Sequence, residues 1–163
     1  MNARLTLALA CAALACGPEV GSDPMSAPDV GRYDALHPYL EARCATLDCH
    51  GDAGRPLRLF SETGLRAPGV ERDAELQPQE RMANAWALVG VDPGAEPESH
   101  LSVLKPLAEQ AGGMHHVGEA VWASVEDPGY RCLLGWLRED GDAAWEGACA
   151  AARETWSVPP PTP

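Results

Sequence analysis

Phenylalanine occurs once in the 163 residues, and basic residues number 12 against 24 acidic ones, for a net charge of -12. So few cations cannot neutralise a run of phosphates, which excludes nucleic acid as a partner. The same shortage disfavours an electrostatic hold on anionic lipid. No apolar run reaches the roughly 20 residues that span a bilayer. There is no Gly-x-Ser-x-Gly elbow and no His-Glu-x-x-His pair, so nothing supports a hydrolase, and no substrate turnover is expected. Internal repeats are missing. So is a convincing strand: Pro56-Leu57-Arg58-Leu59-Phe60 alternates but is short.

Apolar residues nevertheless make up 45% of the chain, enough for one core. Gly (16) and Pro (15) are abundant, which points to long loops. The five Trp residues suit either ordinary core or the wall of a cofactor pocket. Trp86, Trp122, Trp136, Leu101 and Leu104 are the candidate walls.

Residues 1–16 read as an export signal: Arg4 precedes an uncharged stretch from Leu5 to Ala15. The stretch ends Ala13-Leu14-Ala15-Cys16-Gly17, similar to a lipobox, which makes Cys16 the candidate lipidated residue and Cys11 a second choice. The expected location is the cell envelope, periplasm or outer membrane, with membrane contact only through the N-terminal lipid. Export implies an oxidising compartment in which disulfides persist. Residues 17–31 read as a flexible linker, 32–140 as the domain, 141–156 as a C-terminal helical extension and 157–163 as a Pro-rich tail.

The periodicity predicts helices over 33–44, from near Gln77 to Val89, over Ser99–Leu104, from Asp127-Pro128 to a stop at Gly141, and more weakly over 143–155. The fold class is therefore mostly α, a small helical domain with long loops.

Beyond the signal, four cysteines remain. Cys132 and Cys149 are expected to form a structural disulfide that pins the last helix. Cys44 and Cys49 lie in C-A-T-L-D-C-H-G, with His50 directly after the second sulfur. Covalent c-type haem is held by two cysteines and an adjacent His, since one turn must reach both the edge of the macrocycle and its iron. The usual gap is two residues, and here it is four. A plain disulfide between Cys44 and Cys49, or a zinc site using both with His50 and a distant His, are the alternatives. A second axial ligand is sought in Gly112-Gly113-Met114-His115-His116-Val117-Gly118, where Met114, His115 and His116 are all candidates. His37 and His100 read as helix-surface or capping residues.

In order, the chain carries an aromatic-led helix, Cys…Cys-His-Gly, R-P-L-R-L-F (55–60), S-H-L-S-V-L-K-P-L (99–107), a Gly-Gly-x-His loop and D-P-G-Y-R-C-L-L-G-W-L (127–137). This order resembles the cytochrome c-like domains of exported planctomycete and myxobacterial proteins, over roughly residues 32–140. The resemblance implies a small cytochrome c-like fold in which the first helix packs on a last helix ending in Trp-Leu. It also implies attachment through Cys44 and Cys49, His50 as proximal ligand, a distal ligand within 114–116, and electron transfer to a partner protein. The acidic surface would favour a basic redox partner. The competing reading is a haem-free, disulfide-stabilised surface lipoprotein that acts as a binding module.

Overall fold

The computed structural model describes residues 29–157. The expected signal with Cys11 and Cys16, the expected linker up to residue 28 and the residues beyond 157 lie outside the described residues. Five α-helices are present and, among the described residues, no strand: α1 (Val30–Arg43), α2 (Pro78–Gly90), α3 (Leu101–Leu104), α4 (Pro128–Leu137) and α5 (Ala143–Ser157). The protein is mostly α. No described helix is long and apolar enough to cross a membrane.

The helix starts follow from side chains that satisfy the first unpaired N–H groups. Asp29 Oδ1 accepts from Gly31 N at 2.8 Å, so α1 begins inside the stretch expected as linker. Asp127 Oδ1 accepts from Gly129 N at 2.8 Å, and Pro128 follows as the first helical residue, as its missing N–H and fixed φ allow. Two expected boundaries are corrected. Gly141 does not end α4: the helix stops at Leu137, Arg138 caps it, and Glu139 makes the reversal with φ 59°. The helix expected over Ser99–Leu104 is broken at His100, whose extended backbone (ψ 133°) separates a single 3-10 turn, Pro97–Ser99, from α3. His100 Nδ1 accepts from Ser102 N at 3.2 Å and so caps α3 itself.

α1, α4 and α5 form the core. Tyr33 of α1 meets Trp136 of α4 edge-on, ring centres 5.7 Å apart, and both rings are fully buried. Trp122 Nε1 donates to the Tyr39 hydroxyl at 2.7 Å, which ties the loop before α4 to α1. Gly135 brings α5 close: a Cβ there would clash with Cδ1 of the Trp145 ring. Trp145 Nε1 in turn donates to the Cys132 carbonyl at 2.9 Å.

The expected Cys132–Cys149 disulfide is present, linking α4 to α5 across 17 residues of sequence. In the chain-entropy account a loop of that size contributes roughly 3 kcal/mol. A Cys132→Ala/Cys149→Ala variant is expected to lose about that much in chemical denaturation. Reductant should destabilise the parent and leave the variant unchanged; a parent indifferent to reductant would contradict the assignment.

α2 packs on α1 and is tied to the 56–67 segment. Asn84 holds both backbone groups of Phe60, accepting from its N at 2.6 Å and donating to its O at 2.8 Å. Glu80, fully buried, accepts from Arg66 (3.1 and 2.8 Å) and from the backbone N–H groups of Ala67 (2.8 Å) and Gln77 (2.9 Å). Burial alone would raise the Glu80 pKa, but these four donors outweigh it and hold the carboxyl below its ordinary range. The charge is therefore kept, and it fixes the segment whose other end forms the wall of the site.

Candidate functional site: a two-histidine slot beside a cysteine pair

The segment 44–51 leaves α1 in a closed turn. Cys44 N and Ala45 N both donate to Leu40 O (2.8 and 2.9 Å), while His50 N returns to Cys44 O at 2.8 Å. The two extra residues between the cysteines are taken up as an outward bulge: Leu47 is 46% exposed, and Asp48 O is pinned by Arg55 Nη2 at 2.7 Å. The four-residue gap therefore leaves His50 directly against the end of α1. Gly51 makes this possible. A Cβ there would lie 2.8 Å from the carbonyl carbons of both Ala45 and Thr46.

Cys44 and Cys49 are both free. Burial pushes the Cys44 thiol up to about 12, with the neighbouring Cys49 adding to the rise and Arg43 opposing it. Cys49 is exposed.

His50 Nδ1 donates to the Leu57 carbonyl at 3.1 Å. The carbonyl can only accept, so the proton sits on Nδ1 and Nε2 keeps its lone pair. Burial lowers the His50 pKa; the Leu57 bond works the other way, and His116 and Arg55 lower it further. The ring is thus held neutral, the form that binds a metal.

Of the three candidates in the 114–116 loop, one is brought to His50. The His116 ring centre lies 6.1 Å from that of His50, with the planes 36° apart. His116 Nδ1 donates to the Glu119 carbonyl at 2.9 Å, so its Nε2 is also the nitrogen left over. Glu119 adopts φ 79° to present that carbonyl, a conformation that L side chains rarely take and that concentrates at functional sites. Met114, 42% exposed, lies outside the cavity that His50 and His116 share. His115 faces solvent, its side chain 81% exposed and 3.5 Å from Glu109.

Behind the two imidazoles is an apolar cavity of about 200 Å³, to which Cys44 contributes one wall. α1 supplies Leu40, α2 Leu88, α3 Leu101 and α4 Leu133, with Leu57, Leu59 and Trp122 from the loops. In front is a wider groove of about 680 Å³ that includes Cys49. His50, Pro56, Lys105 and His116 border both, so the two spaces are the inner and outer parts of one slot. Together they fall in the size range of small-molecule sites, which is roughly 300–1,000 Å³.

Among the candidate walls, Trp122 and Leu101 line this slot. Trp136 is buried against Tyr33, Leu104 is not among the cavity walls, and Trp86 is 48% exposed on the outer face of α2. Helical periodicity had placed Trp86 inward. The position is instead covered only in part, because the 56–65 segment meets α2 through Asn84, on another face. Residues that sequence reasoning passed over are Glu80, Asn84 and the slot's cations Arg55 and Lys105.

The donor set bears on which group would fit. Among the described residues, no three His, Cys, Asp or Glu side chains gather to hold a bare metal ion, so a zinc site built on Cys44, Cys49, His50 and a distant His does not form. Two imidazoles brought together at an apolar slot, each with its Nδ1 engaged by a carbonyl, instead suit a planar macrocycle, which brings its own equatorial ligands. The residues present fit a haem.

No protein-family model matches the chain, and no curated protein or solved structure is similar enough to match it.

Proposed function

We propose that the protein is an exported c-type-cytochrome-like electron carrier of the cell envelope. In this reading Cys44 and Cys49 would hold haem covalently, and His50 and His116 would bind its iron. The observation that carries it is the pair of imidazoles 6.1 Å apart, from two loops distant in sequence, over an apolar slot with a free cysteine at each end. Bound haem would supply one-electron chemistry between ferrous and ferric iron. The chain's own residues do the rest. Leu57 and Glu119 fix the tautomer and tilt of the two rings, as outer hydrogen-bond partners do for metal-bound histidines. Leu40, Leu59, Leu88 and Leu133 exclude water, and Trp122 closes the slot from the α4 side.

No substrate is transformed, and the partner would be a redox protein drawn by its basic surface to this acidic one. A lipid at Cys16 would provide the only tie to a membrane. The haem-free binding-module reading rests on a Cys44–Cys49 bond. The two thiols are free, so it stands second.

The test is expression of the full chain in a host with a c-type maturation system, followed by a haem stain on a denaturing gel. Covalent stain at the mass of the chain is expected, and Cys44→Ala/Cys49→Ala should remove it. Colourless protein in which Cys44 and Cys49 are joined to each other would overturn the assignment.

A further inference from the structure

The two imidazoles of the slot are anchored unequally. His50 is fixed to other segments through its backbone and its ring: its N donates to Cys44 O at 2.8 Å, its O accepts from Leu59 N at 2.8 Å, and its Nδ1 donates to Leu57 O at 3.1 Å. The His116 ring bonds to Glu119 O, inside its own loop. Among the described residues, no backbone N–H from His115 to Ala120 donates to another backbone group.

That loop has a closed outline. Met114 N donates to Leu104 O at 2.8 Å and Val121 N to Pro106 O at 2.7 Å, so its two ends are pinned to carbonyls two residues apart. Between those carbonyls stands Lys105, whose Nζ donates to His115 O at 3.1 Å. Among the described residues this is the loop's one hydrogen bond to the rest of the protein. The contact of His115 with Glu109, at 3.5 Å, joins two solvent-exposed side chains and contributes little. The loop has room to move: a Cβ at Gly118 would touch nothing within 4 Å, and Val117 stands in solvent. Gly118 and Glu119 are consecutive left-handed residues, φ 102° and 79°, and lifting the loop would relieve the strain at Glu119.

We propose that residues 115–120 are a hinged flap, latched by Lys105, that withdraws His116 and lets a small neutral iron ligand, a diatomic gas, bind in its place. The inference rests on the haem reading above and adds a reversible gas site to electron carriage. In the exchange the bond from His116 Nε2 to iron breaks and a bond from the gas forms; no electron or proton moves. A neutral ligand is favoured over an anion because Leu57, Leu59, Leu88 and Leu133 line the space behind the flap, and their side chains offer no hydrogen-bond donor.

The test uses the full chain loaded with haem, reduced and mixed with carbon monoxide, with the Soret absorbance as readout. The parent should bind the gas at a rate that levels off as its concentration rises, because lifting of the flap limits it. Lys105→Met keeps the length of the side chain and removes the donor; it should raise the plateau about fivefold, the scale of one hydrogen bond. Lys105→Arg, which can donate to the same carbonyl, should keep the parent's rate. His116→Ala should bind in proportion to concentration, with no plateau. A parent that takes up no gas, or a plateau equal in Lys105→Met and the parent, would overturn the flap and leave the haem site standing. A chain that carries no haem would overturn the haem site and the flap with it. Thermal melting of each variant keeps a folding defect from passing as faster opening.

Discussion

Replacing His116 by alanine in haem-loaded protein is expected to turn a low-spin visible spectrum into a high-spin one, while covalent haem is retained. Met114→Ala and His115→Ala should leave the spectrum unchanged. The three residues are adjacent in sequence, and the difference among them is geometric. Only His116 has its ring 6.1 Å from His50 and its Nδ1 engaged by a carbonyl at 2.9 Å. His115 is turned to Glu109, and Met114 donates its backbone N–H to Leu104 O at 2.8 Å with its side chain 42% exposed. On the proposed function, loss of one of the two imidazoles holding the iron would change its spin state almost completely, so the effect is all-or-none. A methionine would also give a higher-potential iron than a second histidine, and a spectrum sensitive to Met114→Ala instead of His116→Ala would reverse the assignment.

The second large effect is expected at Gly51. Gly51→Ala should cost about 3 kcal/mol, the upper end for forced overpacking, because the new methyl meets backbone rather than a side chain that could swing aside. Its neighbours belong to the same tight turn. Ala45 O already accepts from Ser61 Oγ at 2.6 Å, and Gly51 N donates to Thr46 O at 2.8 Å. The turn can relax only by carrying His50 away from the end of α1, so the haem stain should fall together with the denaturation midpoint. Gly54→Ala, a few residues on, has only the Asp52 carboxylate near its Cβ, at 3.0 Å, and serves as the control expected to change little. Equal loss in both variants would mean that the turn does not depend on a bare Gly51.

Much of the helical frame is legible in the chain because its signals are local. Asp127-Pro128 announces α4 by capping, Pro78 marks the start of α2, and Tyr33, Leu36 and Leu40 recur at the helical period and are all buried. The Cys132–Cys149 bond between α4 and α5 is legible from spacing, whereas for Cys44 and Cys49, which are free, spacing alone leaves haem attachment, a disulfide and zinc all open. What the chain conceals is set by contacts between segments far apart. Which of three neighbouring residues meets His50 depends on the left-handed backbone at Glu119, a residue with no intrinsic bias toward it. Glu80 looks like a solvated helix acid until Arg66, fourteen positions earlier, arrives to pair with it. His100 breaks a helix that periodicity would continue, because its own ring caps the next turn.

The unequal burial of the two free sulfurs imposes an order on any electrophile that approaches them. Cys49 stands in the open, whereas the Cys44 thiol is held protonated far above neutrality and forms the inner wall. Thiolate is the reactive species. Alkylation in native buffer should therefore register one fast sulfur by mass spectrometry, and a second only once the turn opens. Two bonds formed at this pair would then be made in sequence, the outer one first, with the inner one waiting on a breathing motion of the end of α1.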